Sequence, residues 1–94
     1  MPYKGENMII TVGAEKGGVA KTRLATHIAT LAAKSGADVV LLDTDKQGSA
    51  TSWSRIRTEA RASPQVPVLA LPPNPARELA SLANKYHLVV VDIG

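Results

Sequence analysis

The feature that most constrains the fold is a glycine-rich segment, residues 15–22, placed between an apolar run and an amphipathic stretch. The apolar run Met8–Val12 predicts a strand, and residues 22–35 predict a helix. A chain that passes from a strand into a helix through glycines can direct several backbone N–H groups into one concavity, at the positive end of the helix dipole. This arrangement suits a phosphate group, and a triphosphate best.

Two side chains of the segment support this interpretation. Lys21 supplies a charge for the β- and γ-phosphates, and the Thr22 hydroxyl can ligate Mg²⁺. The commonest phosphate-loop pattern has glycines where this chain has Glu15 and Ala20. If residue 20 required a positive φ, alanine there would cost about 1–2 kcal/mol. The alternative is a glycine turn that ends a strand, with solvated lysines.

The segment matches a variant pattern instead, K-G-G-x-x-K-[ST], which has an additional lysine at Lys16. In this respect the chain resembles the deviant Walker A ATPases of the ParA/MinD family, and most closely their plasmid and chromosome partition members. The resemblance implies a catalytic role for Lys21 and for Lys16, which would reach the phosphates of the second protomer in an ATP-bound homodimer. It also implies that ATP is bound by consecutive loop residues: Lys16, Gly17, Gly18, Val19, Ala20, Lys21 and Thr22.

A second apolar run ends in two aspartates, Asp43 and Asp45. Ligands bind at the carboxyl ends of the strands in open parallel sheets. The stretch D-T-D-K-Q-G-S-A resembles the second motif of the partition proteins, with Lys46 where proline is usual. The resemblance implies that Asp43 helps to hold Mg²⁺ and its waters, and that Asp45 orients or activates the attacking water. The alternative is an acidic strand end followed by a helix cap at Ser49 or Thr51.

A third apolar run, Leu88–Asp92, also ends in an aspartate. Such a strand resembles the Walker B strand of P-loop NTPases, whose carboxylate binds Mg²⁺ through water. The signal is weak alone, but its place after the other two motifs strengthens it. Thr22, Asp43 and Asp92 are therefore the candidate metal-binding residues.

Strands and helices are expected to alternate along the chain. We predict strands at residues 8–13, 38–43, 66–71 and 88–92, and helices at 21–35, 49–62 and 76–87. Continuous apolar strands joined by helices predict an α/β fold with a parallel sheet covered on both faces. With the motifs above, this is the three-layer α/β/α fold of the P-loop NTPases, truncated after its fourth strand.

Helical periodicity predicts which faces are buried. The first helix is expected to bury a face lined by Leu24, Ile28 and Leu31, and Ser35-Gly36 is expected to end it. The last helix is expected to dock through residues at positions i, i+3, i+4 and i+7: Leu79, Leu82, Ala83 and Tyr86.

The resemblance extends over residues 8–94, the N-terminal part of the family fold, with residues 1–7 as an N-terminal extension. We therefore expect an incomplete ATPase domain, a fragment of a longer protein. In the family the fourth strand lies beside the first. The first strand is then expected to present an unpaired edge.

Composition limits the class of protein. The chain has no cysteine, 3% aromatic residues and a net charge of +3, and no apolar run approaches the roughly 20 residues of a membrane span. We expect a cytoplasmic protein without a membrane partner.

Arginines at positions 55, 57 and 61 are interpreted as a solvated helix face, with a DNA surface as the alternative. Trp53 is expected to pack, and His27 to be a surface or packed residue.

By resemblance, the function is ATP binding and hydrolysis in plasmid or chromosome segregation, through nucleotide-dependent dimerisation. The implied partners are a centromere-binding, ParB-like protein and, for the full-length form, non-specific DNA. Two alternatives stay open. One is a nucleotide-binding regulatory module that does not hydrolyse ATP, and the other is an inactive fragment of such an ATPase.

Overall fold

The computed structural model describes residues 7–13, 18–44, 48–71 and 76–93. Strands and helices alternate along these residues, as predicted. The elements are β1 Met8–Val12, α1 Gly18–Lys34, β2 Val39–Asp43, α2 Ser49–Glu59, β3 Val68–Ala70, α3 Ala76–Lys85 and β4 Leu88–Asp92.

The four strands form one parallel sheet in the order β1-β4-β2-β3. The fourth strand therefore lies between the first and the second. Their register aligns the ends of three strands, because Asp92 is the Cα partner of Val12 on one side and of Asp43 on the other. Both strand-end carboxylates thus lie side by side at the carboxyl edge of the sheet.

Alternation along β2 and β4 divides their side chains between two cores. One face of the sheet, which includes Leu41 and Val90, packs beneath α1 and α2. The other face packs against α3 through Leu79, Leu82 and Tyr86. The three-layer α/β/α prediction is therefore confirmed. Because Asp43 is two residues beyond Leu41, and Asp92 two beyond Val90, both aspartates share the face that α1 and α2 cover.

The predicted buried face of α1 is wrong. Leu24 and Leu31 are 52% and 53% exposed, whereas Ala25 and Ala29 are fully buried. Ile28, the third residue of the predicted face, is only partly buried. The buried residues follow the helical period with small side chains, which let the helix backbone approach the sheet closely.

Helix α1 differs from the predicted range 21–35 by three residues at its N-terminus and by one residue at its C-terminus. The helix begins at Gly18, three residues before the predicted start, and Lys34 is its last residue. Its C-terminus has the hydrogen bonds of a Schellman motif, in which Ala37 N–H donates to Ala32 O and Gly36 N–H to Ala33 O, both at 3.1 Å. Gly36 has φ 93°, so the predicted stop at Ser35-Gly36 is confirmed.

Helix α2 ends at Glu59, earlier than the predicted residue 62. The same pattern of bonds closes it: Ala62 N–H donates to Arg57 O at 2.9 Å, and Arg61 N–H to Thr58 O at 3.1 Å. Arg61 takes the left-handed position that glycine usually occupies, with φ 53°. Sequence patterns do not reveal this stop because arginine is a good helix former.

Strand β4 covers residues 88–92 as predicted, whereas the other remaining elements are one to three residues shorter than predicted. Strand β3 covers Val68–Ala70 instead of residues 66–71, although Pro67 O and Leu71 N–H each bond to β2 at 2.9 Å. Helix α3 ends at Lys85 instead of residue 87. Strands β1 and β2 each lose one terminal residue of the predicted range.

Strand β1 lies at the edge of the sheet formed by the described residues, as the resemblance implied. Met8 and Ile9 are 51% and 45% exposed. Asn7, just before the strand, donates through Nδ2 to Ala83 O of α3 at 2.9 Å. The edge is therefore apolar at its first two residues.

Candidate functional site

Between β1 and α1 the structure describes only Gly13. Lys16 and Gly17 lie outside the described residues, whereas the backbone of Gly18, Val19 and Ala20 forms the first turn of α1. The first N–H groups of a helix have no partner within it and attract anions together with the helix dipole. Because Ala20 is helical, it does not need a positive φ, and the strain considered for alanine at this position does not arise.

A buried cluster joins α1 to the end of β4. The Lys21 ammonium forms a salt bridge with Oδ1 of Asp92, and the Thr22 hydroxyl donates to Oδ2 of the same carboxylate at 2.9 Å. Asp92 has no exposed surface, and Lys21 and Thr22 are 5% and 8% exposed. Thr22 and Asp92 are 70 residues apart in the sequence, yet the sheet order brings them into contact. Three of the predicted site residues are thus in one cluster.

Asp43 lies on the strand next to this cluster and is 2% exposed. Its Oδ2 accepts hydrogen bonds from the backbone N–H of Thr51, at 2.9 Å, and from the Thr51 hydroxyl, at 2.8 Å. The carboxylate therefore caps helix α2. Asp43 thus lies at the carboxyl edge of the sheet and also takes part in the cap of α2, the helix whose cap the alternative placed at Ser49 or Thr51.

Two threonines of this region were not identified as site residues from the sequence. Thr51 holds Asp43, as described above. Thr44 donates through its hydroxyl to the backbone oxygen of Asp92 at 3.0 Å, and its N–H donates to the same oxygen at 3.1 Å. These bonds tie the end of β2 to the end of β4. The sequence did contain a signal for both threonines. Thr44 and Thr51 lie one and eight residues after Asp43, within a stretch rich in hydroxyl residues.

The described donor set fits a hydrated magnesium ion bound together with phosphate. The Thr22 hydroxyl donates its hydrogen bond to Asp92, so its oxygen lone pairs stay available to a cation, and Asp43 and Asp92 are neighbours on adjacent strands. Hydroxyl and carboxylate oxygens are ligands that Mg²⁺ accepts, usually with water and substrate phosphates completing the octahedron. Within the described residues there is no group of three His, Cys, Asp or Glu side chains that could hold a metal alone. Asp45 lies outside the described residues.

A groove of about 390 Å³ separates α1 from α2 on the outer surface. Its lining includes Arg23, His27 and Arg57, and the Arg57 guanidinium lies 5.1 Å from the ring centre of Trp53. Trp53 is partly buried and packs against the core beneath α2, as predicted. Arg55 and Arg61 are exposed and His27 is a surface residue.

None of the helices in the described part of the chain has the length and apolar character that a membrane span requires.

Comparison with known proteins agrees with this geometry. Residues 10–92 match the CobQ/CobB/MinD/ParA nucleotide binding domain. The chain is also similar to the chromosome-partitioning ATPase Soj of Thermus thermophilus, with 44% identity over 50 residues. That match covers 53% of this chain and 20% of the length of the relative. The chain therefore belongs to the CobQ/CobB/MinD/ParA family of nucleotide-binding domains.

Proposed function

We propose that this chain is the phosphate-binding part of a ParA-like partition ATPase, with ATP as its nucleotide and Mg²⁺ as its metal. The observation that supports this most strongly is the buried cluster of Lys21, Thr22 and Asp92 at the start of α1. A cation, a hydroxyl and a carboxylate meet where helix N–H groups also point. All three have the types and positions that a Mg²⁺-nucleotide site requires.

Phosphate binding would change the partners of Lys21. Without nucleotide, the ammonium neutralises Asp92, a carboxylate with no exposed surface. To reach a phosphate it must turn away, and an unpaired buried carboxylate is costly. A divalent cation beside Thr22 would compensate that charge. We therefore expect the affinities for nucleotide and for Mg²⁺ to be strongly coupled.

The proposed residue roles combine this arrangement with the roles that the family resemblance implies. Backbone N–H groups from Gly17 to Thr22 hold the phosphates. Lys21 neutralises the transferred group, while Thr22, Asp43 and Asp92 hold the metal, directly or through its waters. When bound, Mg²⁺ supplies charge that stabilises the phosphoryl oxygens. Asp45 is proposed to place the attacking water.

Lys16 is proposed to act in a second protomer of an ATP-bound homodimer. Charge stabilisation by a group supplied in trans makes hydrolysis depend on assembly. The partition role is supported by the similarity to Soj and by the Gln47-Gly48-Ser49-Ala50 run. It implies a centromere-binding, ParB-like partner. The dependence on ATP is consistent with a cytoplasmic protein.

The outer surface of α1 and α2 supports the proposal of non-specific DNA as a further partner. Apart from the buried Lys21, the two helices contain one acid, Glu59, and four basic residues: Arg23, Lys34, Arg55 and Arg57. Arg23 and Arg57 line the groove between them. Clustered cations attract phosphates irrespective of sequence. DNA binding through this face would weaken as the salt concentration rises.

ATP turnover measured against protein concentration tests the proposal. We expect the rate per protomer to rise with concentration, and Lys16→Ala to lower it by roughly a hundredfold. Lys34→Ala, an exposed lysine at the other end of α1, is the control and should leave the rate unchanged. Equal rates for Lys16→Ala and the wild type would contradict the dimer mechanism. Bound ATP without turnover at any concentration would favour a regulatory module.

A further inference from the structure

Helix α2 begins without a side-chain cap from its N-cap residue. Its N-cap residue is Gly48, with φ 65°, and no side chain at that position bonds to the first turn. The Thr51 N–H finds its acceptor eight residues back along the chain, in the carboxylate of Asp43 on β2. The Thr51 hydroxyl donates to the same oxygen at 2.8 Å. The start of α2 is therefore attached to the sheet by one carboxylate.

That carboxylate also belongs to the candidate site. Asp43 is the Cα partner of Asp92, shares its face of the sheet, and is 2% exposed. Asp92 in turn holds Lys21 and Thr22. Thr51 is thus connected to the proposed site in two steps. Two hydrogen bonds join it to Asp43, and Asp43 lies beside Asp92 on the adjacent strand.

We infer that Thr51 is a positioning residue for the Mg²⁺-nucleotide site, acting through Asp43. The inference rests on the proposed function. Two donors from one residue fix a single carboxylate oxygen and hence the rotamer of Asp43. Partners that orient metal-binding groups from outside the ligand set typically contribute about ten- to a hundredfold to metal affinity. Without the hydroxyl, only the N–H of these two donors would remain, so the Asp43 rotamer would be less firmly fixed and the site would bind Mg²⁺ less well.

Linkage makes the effect reciprocal. If Thr51 favours Mg²⁺-nucleotide binding, then bound Mg²⁺-nucleotide must stabilise the contact between Thr51 and Asp43. The first turn of α2 should then open less often, and the backbone amide of Thr51 should exchange its hydrogen more slowly. Helix α2 also lines the groove with Arg57, so the state of the site would reach the basic outer surface.

Three substitutions separate positioning from general stability. Thr51→Val removes the hydroxyl and keeps the shape and the backbone amide, whereas Thr51→Ser restores the hydroxyl. Thr58→Val makes the same change at an exposed position of the same helix. Binding of a fluorescent ATP analogue is titrated with Mg²⁺ for each protein, and is repeated in EDTA to obtain the metal-independent affinity.

We expect Thr51→Val to raise the Mg²⁺ concentration for half-maximal binding about tenfold. Thr51→Ser and Thr58→Val should stay within about twofold of the wild type, and affinities in EDTA should be equal. A shift below about twofold for Thr51→Val, or an equal shift for Thr51→Ser, would overturn the inference and leave the proposed function standing. Failure of the wild type to bind the analogue would overturn both.

Hydrogen exchange in the wild-type protein tests the same link without any substitution. Mg²⁺ and nucleotide together should slow exchange at the Thr51 amide, whereas nucleotide in EDTA should slow it less. Exchange at the amide of Thr58, about two turns further along the same helix, should not respond. An unchanged rate at Thr51 in protein that binds Mg²⁺-nucleotide would overturn the inference, even if Thr51→Val did not fold.

Discussion

Removing the charge of Lys21 should destabilise the nucleotide-free protein, whatever its effect on ligand binding. In Lys21→Ala, Asp92 keeps the Thr22 hydroxyl at 2.9 Å but loses the cation that neutralises it. Asp92 has no exposed surface, so bulk water does not solvate this carboxylate in the folded protein. The substitution therefore leaves an uncompensated charge inside the protein.

The structure sets the expected magnitude. Breaking a buried ion pair by removing one partner costs about 3–5 kcal/mol. The Thr22 hydrogen bond remains and partly stabilises the carboxylate, so we expect a loss near the lower limit, about 3 kcal/mol. Domains have a total stability of roughly 5–15 kcal/mol. Most of the folded population should survive in buffer, but not in moderate urea.

Urea unfolding followed by Trp53 fluorescence and far-ultraviolet circular dichroism measures the change. With slopes of about 1–3 kcal/mol per molar urea, the midpoint of Lys21→Ala should fall by about 1–3 M. Adding Asp92→Asn to Lys21→Ala should recover about 1–2 kcal/mol, because the double variant no longer buries a charge. Lys34→Ala, at an exposed lysine of the same helix, should change stability by less than about 0.5 kcal/mol.

Two results would contradict the stabilising role assigned to the Lys21 ammonium. One is a Lys21→Ala midpoint indistinguishable from that of Lys34→Ala, which would mean that the ammonium does not stabilise Asp92. The other is a double variant less stable than Lys21→Ala, which would mean that the carboxylate contributes through its shape or hydrogen bonds alone.

Three further predictions concern the fold. Gly48→Ala should lower the free energy of unfolding, measured in urea, by about 1 kcal/mol because residue 48 has φ 65°. Arg61→Gly should raise it by roughly 0.5–1 kcal/mol, because glycine takes φ 53° without strain. In the same assay, Leu41→Ala, at a fully buried position, should lower the free energy of unfolding by about 2–5 kcal/mol. Leu24→Ala, at a 52% exposed position, should lower it by less than about 0.5 kcal/mol. Similar losses for the two variants would contradict the assigned face of α1. Ile9→Lys on the edge strand should lower aggregation measured by light scattering, and unchanged aggregation would show that this edge does not drive association.

The strand-end motifs could be predicted from the sequence because each is local. An apolar run followed by an aspartate specifies a buried strand and the edge at which its carboxylate lies. The parallel sheet then brings Asp43 and Asp92 together without further information. The contact of Lys21 and Thr22 with Asp92 follows once β4 lies beside β1, which the family resemblance implied.

Other features depend on relations between distant residues or on competing local preferences. In α1 the leucines suggested the buried face, but close approach to the sheet selected the alanines at positions 25 and 29. In α2 the stop depends on Arg61 adopting a conformation that arginine seldom takes. The cap by Asp43 comes from another element, so a search for a cap among the residues at the start of α2 could not find it.

We propose that Lys21, Thr22 and Asp92 form a Mg²⁺-nucleotide site. Titration of a fluorescent ATP analogue with Mg²⁺ into the wild type, Lys21→Ala and Lys34→Ala tests this claim, at a temperature where circular dichroism shows all three to be folded. We expect saturable binding by the wild type and Lys34→Ala, and none by Lys21→Ala. Equal binding by Lys21→Ala, or no binding by the wild type, would contradict the claim.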